Sequence, residues 1–173
     1  MSKPSAHIGI MPVSDSFFYM WRCIIVMAHA DGVIHEKERE FFDKVFANMG
    51  RVYALTPEHL KAFAGDLEKA QDVDTLMPHI KDPECRSLLL YFSQVVAWID
   101  GHLSPDESDL LKKLHGAFGK APETGEMMAK IRQDIADQMF KRKTDLEQKH
   151  LERNPLFYAL DALLLRLGID HLD

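Results

Sequence analysis

Residues 28–38 read AHADGVIHEKE. An apolar stretch stops at Asp31-Gly32 and a charged one begins within a few residues. Upstream, Phe17, Trp21, Ile24, Ile25 and Ala28 recur at helical spacing behind Ser14 or Asp15, either of which suits an N-cap. This predicts a helix from about Asp15 to Ala30. Downstream, Phe41, Phe42, Val45 and Phe46 recur in the same way from His35 and stop before Gly50, a suitable C′ residue. The stretch therefore reads as a joint between two helices that each bury one face.

The joint occurs twice. At an offset of 69 residues, MAHADGVIHEKEREFF (27–42) lies over VAWIDGHLSPDESDLL (96–111) without a gap. Ala28 matches Ala97, Asp31 matches Asp100, Gly32 matches Gly101, Ile34 matches Leu103 and Glu38 matches Glu107. The register extends to Lys44 on Lys113 and Gly50 on Gly119. Each position has a mechanical reason. Alanine lets the helix end pack closely, glycine supplies the positive φ that ends it, and the aliphatic residue two positions on returns to the core. The aspartate can bond backbone amides in the joint. Glu38 and Glu107 fall in the first turn of the next helix, where the macrodipole favours a carboxylate by about 0.3–1 kcal/mol. Ser104 with Glu107 is also a capping box.

The remaining chain carries helix punctuation throughout. Thr56-Pro57 starts a third helix through Leu60, Phe63 and Leu67, expected to face inward. A short helical piece covers Val73 to Ile80, weakened where Pro78 removes a donor. Asp82-Pro83 launches an apolar helix to about Ile99, and Ser104-Pro105 one that ends near Gly119. After Ala121-Pro122, Met127, Met128, Ile131, Ile135 and Met139 form one face of a further helix. The polar run KRKTDLEQKHLER (141–153) is a solvated helix, or one that restarts at Thr144 through a box with Glu147. Asn154-Pro155 caps a last helix, stopped by Gly168. Sustained alternation and hairpin turns are missing. The expectation is an all-α, single-domain bundle of about seven to eight helices containing two pseudo-repeated helical hairpins. Residues 1–13 are expected to be a flexible N-terminus, 14–119 the repeated core, and 120–173 a helical extension packed on it.

Composition narrows the function classes. A chain of 173 residues with 46% apolar content can bury a real core. The net charge of −6 lacks the basic face that a sequence-independent grip on phosphates requires, so nucleic acid is not expected as a partner. Cys23 and Cys85 each lie inside an apolar helical pattern, far apart, and read as buried thiols of a reducing cytoplasm rather than a redox pair or zinc knuckle. The apolar runs 88–99 and 156–167 fall short of the roughly 20 residues a membrane span needs. No transmembrane segment or secretory leader is expected, and peripheral membrane association is left open.

Two related hairpins often pack about a pseudo-twofold axis, which would bring Asp31, Glu38, Asp100 and Glu107 together. Four carboxylates at one place repel unless a cation joins them, and oxygen ligands select a hard ion such as Ca²⁺, Mg²⁺ or Mn²⁺. An EF-hand is the rival reading, since Asp31 to Glu38 fits the end of that loop. Its first and third positions would fall on Met27 and His29, and in the second copy on Val96 and Trp98, none of them a carboxylate. Ordinary EF-hand calcium binding is therefore not expected.

The pair MAHADGVIHEKE and AWIDGHLSPDE, in register, resembles the TerB-like domain of tellurite-resistance proteins and of the N-terminal region of DjlA-type co-chaperones. The resemblance covers about residues 15 to 119. It implies an all-α domain with two similar helical units and an acidic cluster for divalent metal, here Asp31, Glu38, Asp100 and Glu107. It further implies a role in stress response or protein assembly without catalysis. Two features of the co-chaperone pattern, a J-domain signature and a membrane anchor, are not expected from these 173 residues.

Other chemistry is sparse. His29, His35 and His102 flank the acidic motifs and read as solvated loop histidines or as additional metal ligands. The methionines read as core fillers, with Met127, Met128 and Met139 able to line an adaptable partner groove. No HExxH, GxSxG, phosphate loop or dinucleotide fingerprint occurs. No catalytic residue is assigned. The leading expectation is a cytoplasmic, non-catalytic module that binds a divalent cation and acts through unidentified protein partners. Its alternatives are a metal-free helical scaffold and, third, a metal-dependent hydrolase.

Overall fold

A computed structural model of the protein describes residues 11–30, 32–98, 104–119, 130, 133 and 162–169. Helix α1 spans Asp15–Ala28, α2 Glu36–Met49, α3 Pro57–Glu68 and α4 Val73–Leu76. A 3-10 turn over Met77–His79 follows, then α5 over Pro83–Trp98 and α6 over Pro105–Phe118. Residues 162–166 are again helical. The fold is all-α and a single domain. Among the described residues there is no strand, and the one β-type pairing is an isolated parallel bridge between Met11 and Tyr53. Nor is any helix among them long and apolar enough to cross a membrane.

The helix starts follow the local chemistry. Ser14 Oγ accepts from the Phe17 amide at 3.1 Å, and Thr56 Oγ1 from the His59 amide at 3.2 Å. Asp82 Oδ1 accepts from the Cys85 amide at 3.0 Å at the head of α5. Helix α1 ends at Ala28, two residues short of the expected Ala30. There the His29 amide falls back on Ile25 and Val26 carbonyls at 3.2 and 3.1 Å and the chain turns. Pro78 has the expected effect, since α4 gives way to a 3-10 turn where the missing donor falls.

The core is built on α1, which packs most extensively against α5 and also against α3, α4 and the 3-10 turn. Trp21 sits at its centre, meeting Phe46 of α2 edge-on at 6.1 Å between ring centroids and Phe92 of α5 at 5.4 Å. Phe46 in turn stacks on Phe63 of α3 at 4.5 Å. Phe42, Val45, Phe63, Leu67, Leu88, Leu89, Leu114 and Phe118 complete the layer. Leu60 differs from expectation and stays 46% exposed. The ring of its neighbour His59 takes the place over Phe18, at 4.7 Å, beside Phe63 at 5.3 Å.

The C-terminal residues enter the same core. Ala162, Leu163, Leu164, Leu167 and Ile169 are all buried. Tyr53 Oη donates to the Leu167 carbonyl at 2.9 Å, and Arg166 Nη1 donates to Glu84 Oε1 at 2.7 Å. Gly168 ends the helix as expected, at φ 79°. The Ile169 amide reaches back to the Leu164 carbonyl at 2.8 Å and the Gly168 amide to Leu165 at 2.9 Å, the bond pair of a Schellman motif. The methionine face at Met127, Met128 and Met139 and the polar run 141–153 lie outside the described residues.

Candidate metal centre

The first joint leaves α1 through tight backbone bonds. The Ala30 amide donates to the Met27 carbonyl at 3.2 Å, and the Gly32 amide to the His29 carbonyl at 2.8 Å. Gly32 has φ 98°, the left-handed conformation that the motif reserves for glycine. Val33 is 60% exposed, whereas Ile34 is buried and returns the chain to the core. At the head of α2 the His35 amide donates to Glu38 Oε2 at 2.8 Å. The carboxylate is thus fixed as the N3 member of a capping arrangement.

The head of α6 repeats that cap. The Ser104 amide donates to Glu107 Oε2 at 2.7 Å, and the Glu107 amide to Ser104 Oγ at 3.1 Å, a reciprocal capping box. Glu38 and Glu107 therefore occupy equivalent positions, each with one oxygen on the amide of its N-cap residue. Asp31 and Asp100, the other two carboxylates of the expected cluster, lie outside the described residues, as does His102. Among the described residues no group of three or more histidine, cysteine, aspartate or glutamate side chains comes together.

Neither thiol adds a donor. Cys23 and Cys85 are free and buried, and burial pushes each up to about 12, so neither supplies a thiolate at neutral pH. His29 is no solvated loop residue, because its Nε2 donates to the Asp66 backbone carbonyl at 2.8 Å.

A polar centre beside this joint lies outside the expected site residues. Asp66 lies buried on the inner face of α3 and takes a bidentate pair from Arg22, with Nε to Oδ2 at 2.7 Å and Nη2 to Oδ1 at 3.0 Å. The hydrogen bond to Asp66 holds the Arg22 guanidinium above its ordinary value. That guanidinium also lies 5.5 Å from the ring centroids of both Phe18 and Tyr19. One signal was available. Asp66 stands three residues after Phe63 and next to Leu67, on the apolar stripe, where a carboxylate requires a cation.

Arg39, one residue after Glu38, reaches the same end of α3. Its Nη1 donates to Glu68 Oε1 at 2.6 Å and its Nη2 to the Leu67 carbonyl at 3.4 Å. A family model described as tellurite resistance protein TerB matches residues 22–130, which include both joints. No curated protein and no solved structure matches the chain.

Proposed function

We propose, for a chain that belongs to the tellurite-resistance TerB family, a non-catalytic cytoplasmic module that binds a divalent cation at its paired acidic joints. It acts through protein partners, in stress or tellurite response or in protein assembly. The observation that carries this reading is the equivalence of Glu38 and Glu107, each a first-turn carboxylate oriented by the amide of its own N-cap residue. An ordered carboxylate loses less freedom on taking an ion than one that must first be ordered. The donor set fits a hard cation. With Asp31 and Asp100 it consists of carboxylate oxygens, and the buried thiols stay outside it. Bound there, Ca²⁺, Mg²⁺ or Mn²⁺ would supply positive charge between the two hairpins and tie them together. The free, buried cysteines accord with a reducing compartment.

The same bonds favour one competing reading, a metal-free adaptor in which both glutamates serve only as caps. Thermal unfolding separates the two. After chelation, the wild type and an Asp31→Asn, Asp100→Asn double variant are melted with Ca²⁺, Mg²⁺ or Mn²⁺ added in turn. An ion at about 100 times its Kd stabilises the native state by roughly 2.7 kcal/mol, a shift a melt resolves readily. The expected result is stabilisation of the wild type by at least one ion, and loss of that response in the double variant. A wild type indifferent to every ion leaves the adaptor.

A further inference from the structure

We infer that the C-terminal end of α3 grips the first acidic joint from both sides, with His29 and Arg39 as its positioning residues. The last carbonyls of a helix have no amide of their own helix to accept from. In α3 the Gly65 carbonyl takes the Lys69 amide at 3.0 Å, and the following two carbonyls go to side chains of the joint. Asp66 receives His29, the residue that closes α1, and Leu67 receives Arg39 in the opening turns of α2. Glu68 adds a charged bond to Arg39 at 2.6 Å. A cation this close to the start of α2 is unfavourable to the dipole of α2 itself. It is placed for α3, whose negative end it meets.

Asp66 anchors the arrangement from beneath. Its carboxylate is locked to Arg22 of α1, so the carbonyl that receives His29 belongs to a residue with little freedom to move. One buried residue thus ties α1 to α3 through its side chain and fixes the exit from α1 through its backbone. The second joint carries Trp98 and Ser108 at the equivalent positions, so neither residue of the grip is repeated. The grip therefore belongs to the first joint. Its consequence for a bound cation rests on the metal reading above; the grip itself does not.

Two measurements on the full chain test the grip, and they fail separately. In metal-free protein, amide hydrogen exchange over residues 29–36 should speed up roughly tenfold in a His29→Ala, Arg39→Ala double variant, while α5 keeps its protection. His29→Gln and Arg39→Lys keep an N–H donor and should retain most of the protection. Exchange in the double variant equal to wild type overturns the inference, as does equal loss in the donor-keeping variants. In titrations with Ca²⁺ and Mn²⁺, the double variant should bind about 10- to 100-fold more weakly, the range seen for groups that orient metal ligands. An unchanged Kd refutes the positioning role. A wild type that binds neither ion refutes the metal reading, and the exchange result then decides the grip alone.

Discussion

At the scale of single residues, Asp66 has the most to lose. Its side chain is 3% exposed and that of Arg22 is 18% exposed, so the pair is nearly but not fully withdrawn from water. Breaking a fully buried ion pair by removing one partner costs about 3–5 kcal/mol, because the other charge stays behind uncompensated. Partial access of Arg22 to solvent lowers that figure. Asp66→Asn should therefore destabilise the protein by about 2–4 kcal/mol, read as a drop in the urea midpoint. Replacing both partners, as Arg22→Met with Asp66→Leu, should recover much of the loss. A cost under about 0.5 kcal/mol for Asp66→Asn would show that the pair contributes no more than an exposed one. Arg39 with Glu68 is the contrast. That pair is exposed, and its role lies in where it holds the joint rather than in global stability.

At the scale of elements, two glycines that look alike in sequence do different work. Gly32 and Gly50 both follow helices, but Gly32 has φ 98° and Gly50 has φ −63°. A side chain at Gly32 meets nothing within 4 Å, so the penalty there is purely one of backbone conformation. Gly32→Ala should cost about 1–2 kcal/mol in urea unfolding, the price of a left-handed alanine. Gly50→Ala brings its Cβ to ordinary contact, 3.6 Å from the Ala47 carbonyl oxygen, in a conformation alanine prefers. It should be neutral, or stabilising by up to about 1 kcal/mol. The expectation of a C′ glycine at Gly50 missed the conformation while placing the helix end, and Gly119, its match in the repeat, has φ −74°. After Gly50 the chain keeps winding, with the Tyr53 amide on the Met49 carbonyl at 2.8 Å, and the Val52 carbonyl and Ala54 amide then pair with Met11, each at 2.8 Å.

At the scale of the whole molecule, the family match ends at residue 130 but the core does not. Leu163, Leu164 and Ile169 are fully buried, and Leu167 nearly so. Burying a large aliphatic side chain is worth about 1.5–3 kcal/mol, so these four contribute on the order of 6–12 kcal/mol before ordering costs. That compares with the whole stability of a typical domain, about 5–15 kcal/mol. A chain ended at residue 160 should therefore lose its cooperative melt and expose apolar surface to a hydrophobic dye. A sharp melt within a few degrees of the full chain would show that the core closes without this segment.

Much of this architecture follows from local pattern. Caps at Ser14, Thr56, Asp82 and Ser104, and the glycines at 32 and 168, act through bonds to neighbours a few residues away. Such bonds depend on near neighbours in the chain, and that is why helix starts, the first joint and the capping box of Ser104 with Glu107 were legible. The partners of Asp66, His29 and Arg39 were not, since each bond spans 28 to 44 positions and arises only where α1, α2 and α3 converge. Periodicity marks which face of a helix is buried but not which neighbour covers it. The pairing of Met11 with Tyr53 and the docking of residues 162–169 likewise depend on packing between distant segments. Sequence alone determined that the acidic motif ends one helix and opens the next. Tertiary structure decided what grips it, because a helix end has orphan carbonyls wherever it falls, and only the fold brings donors to them.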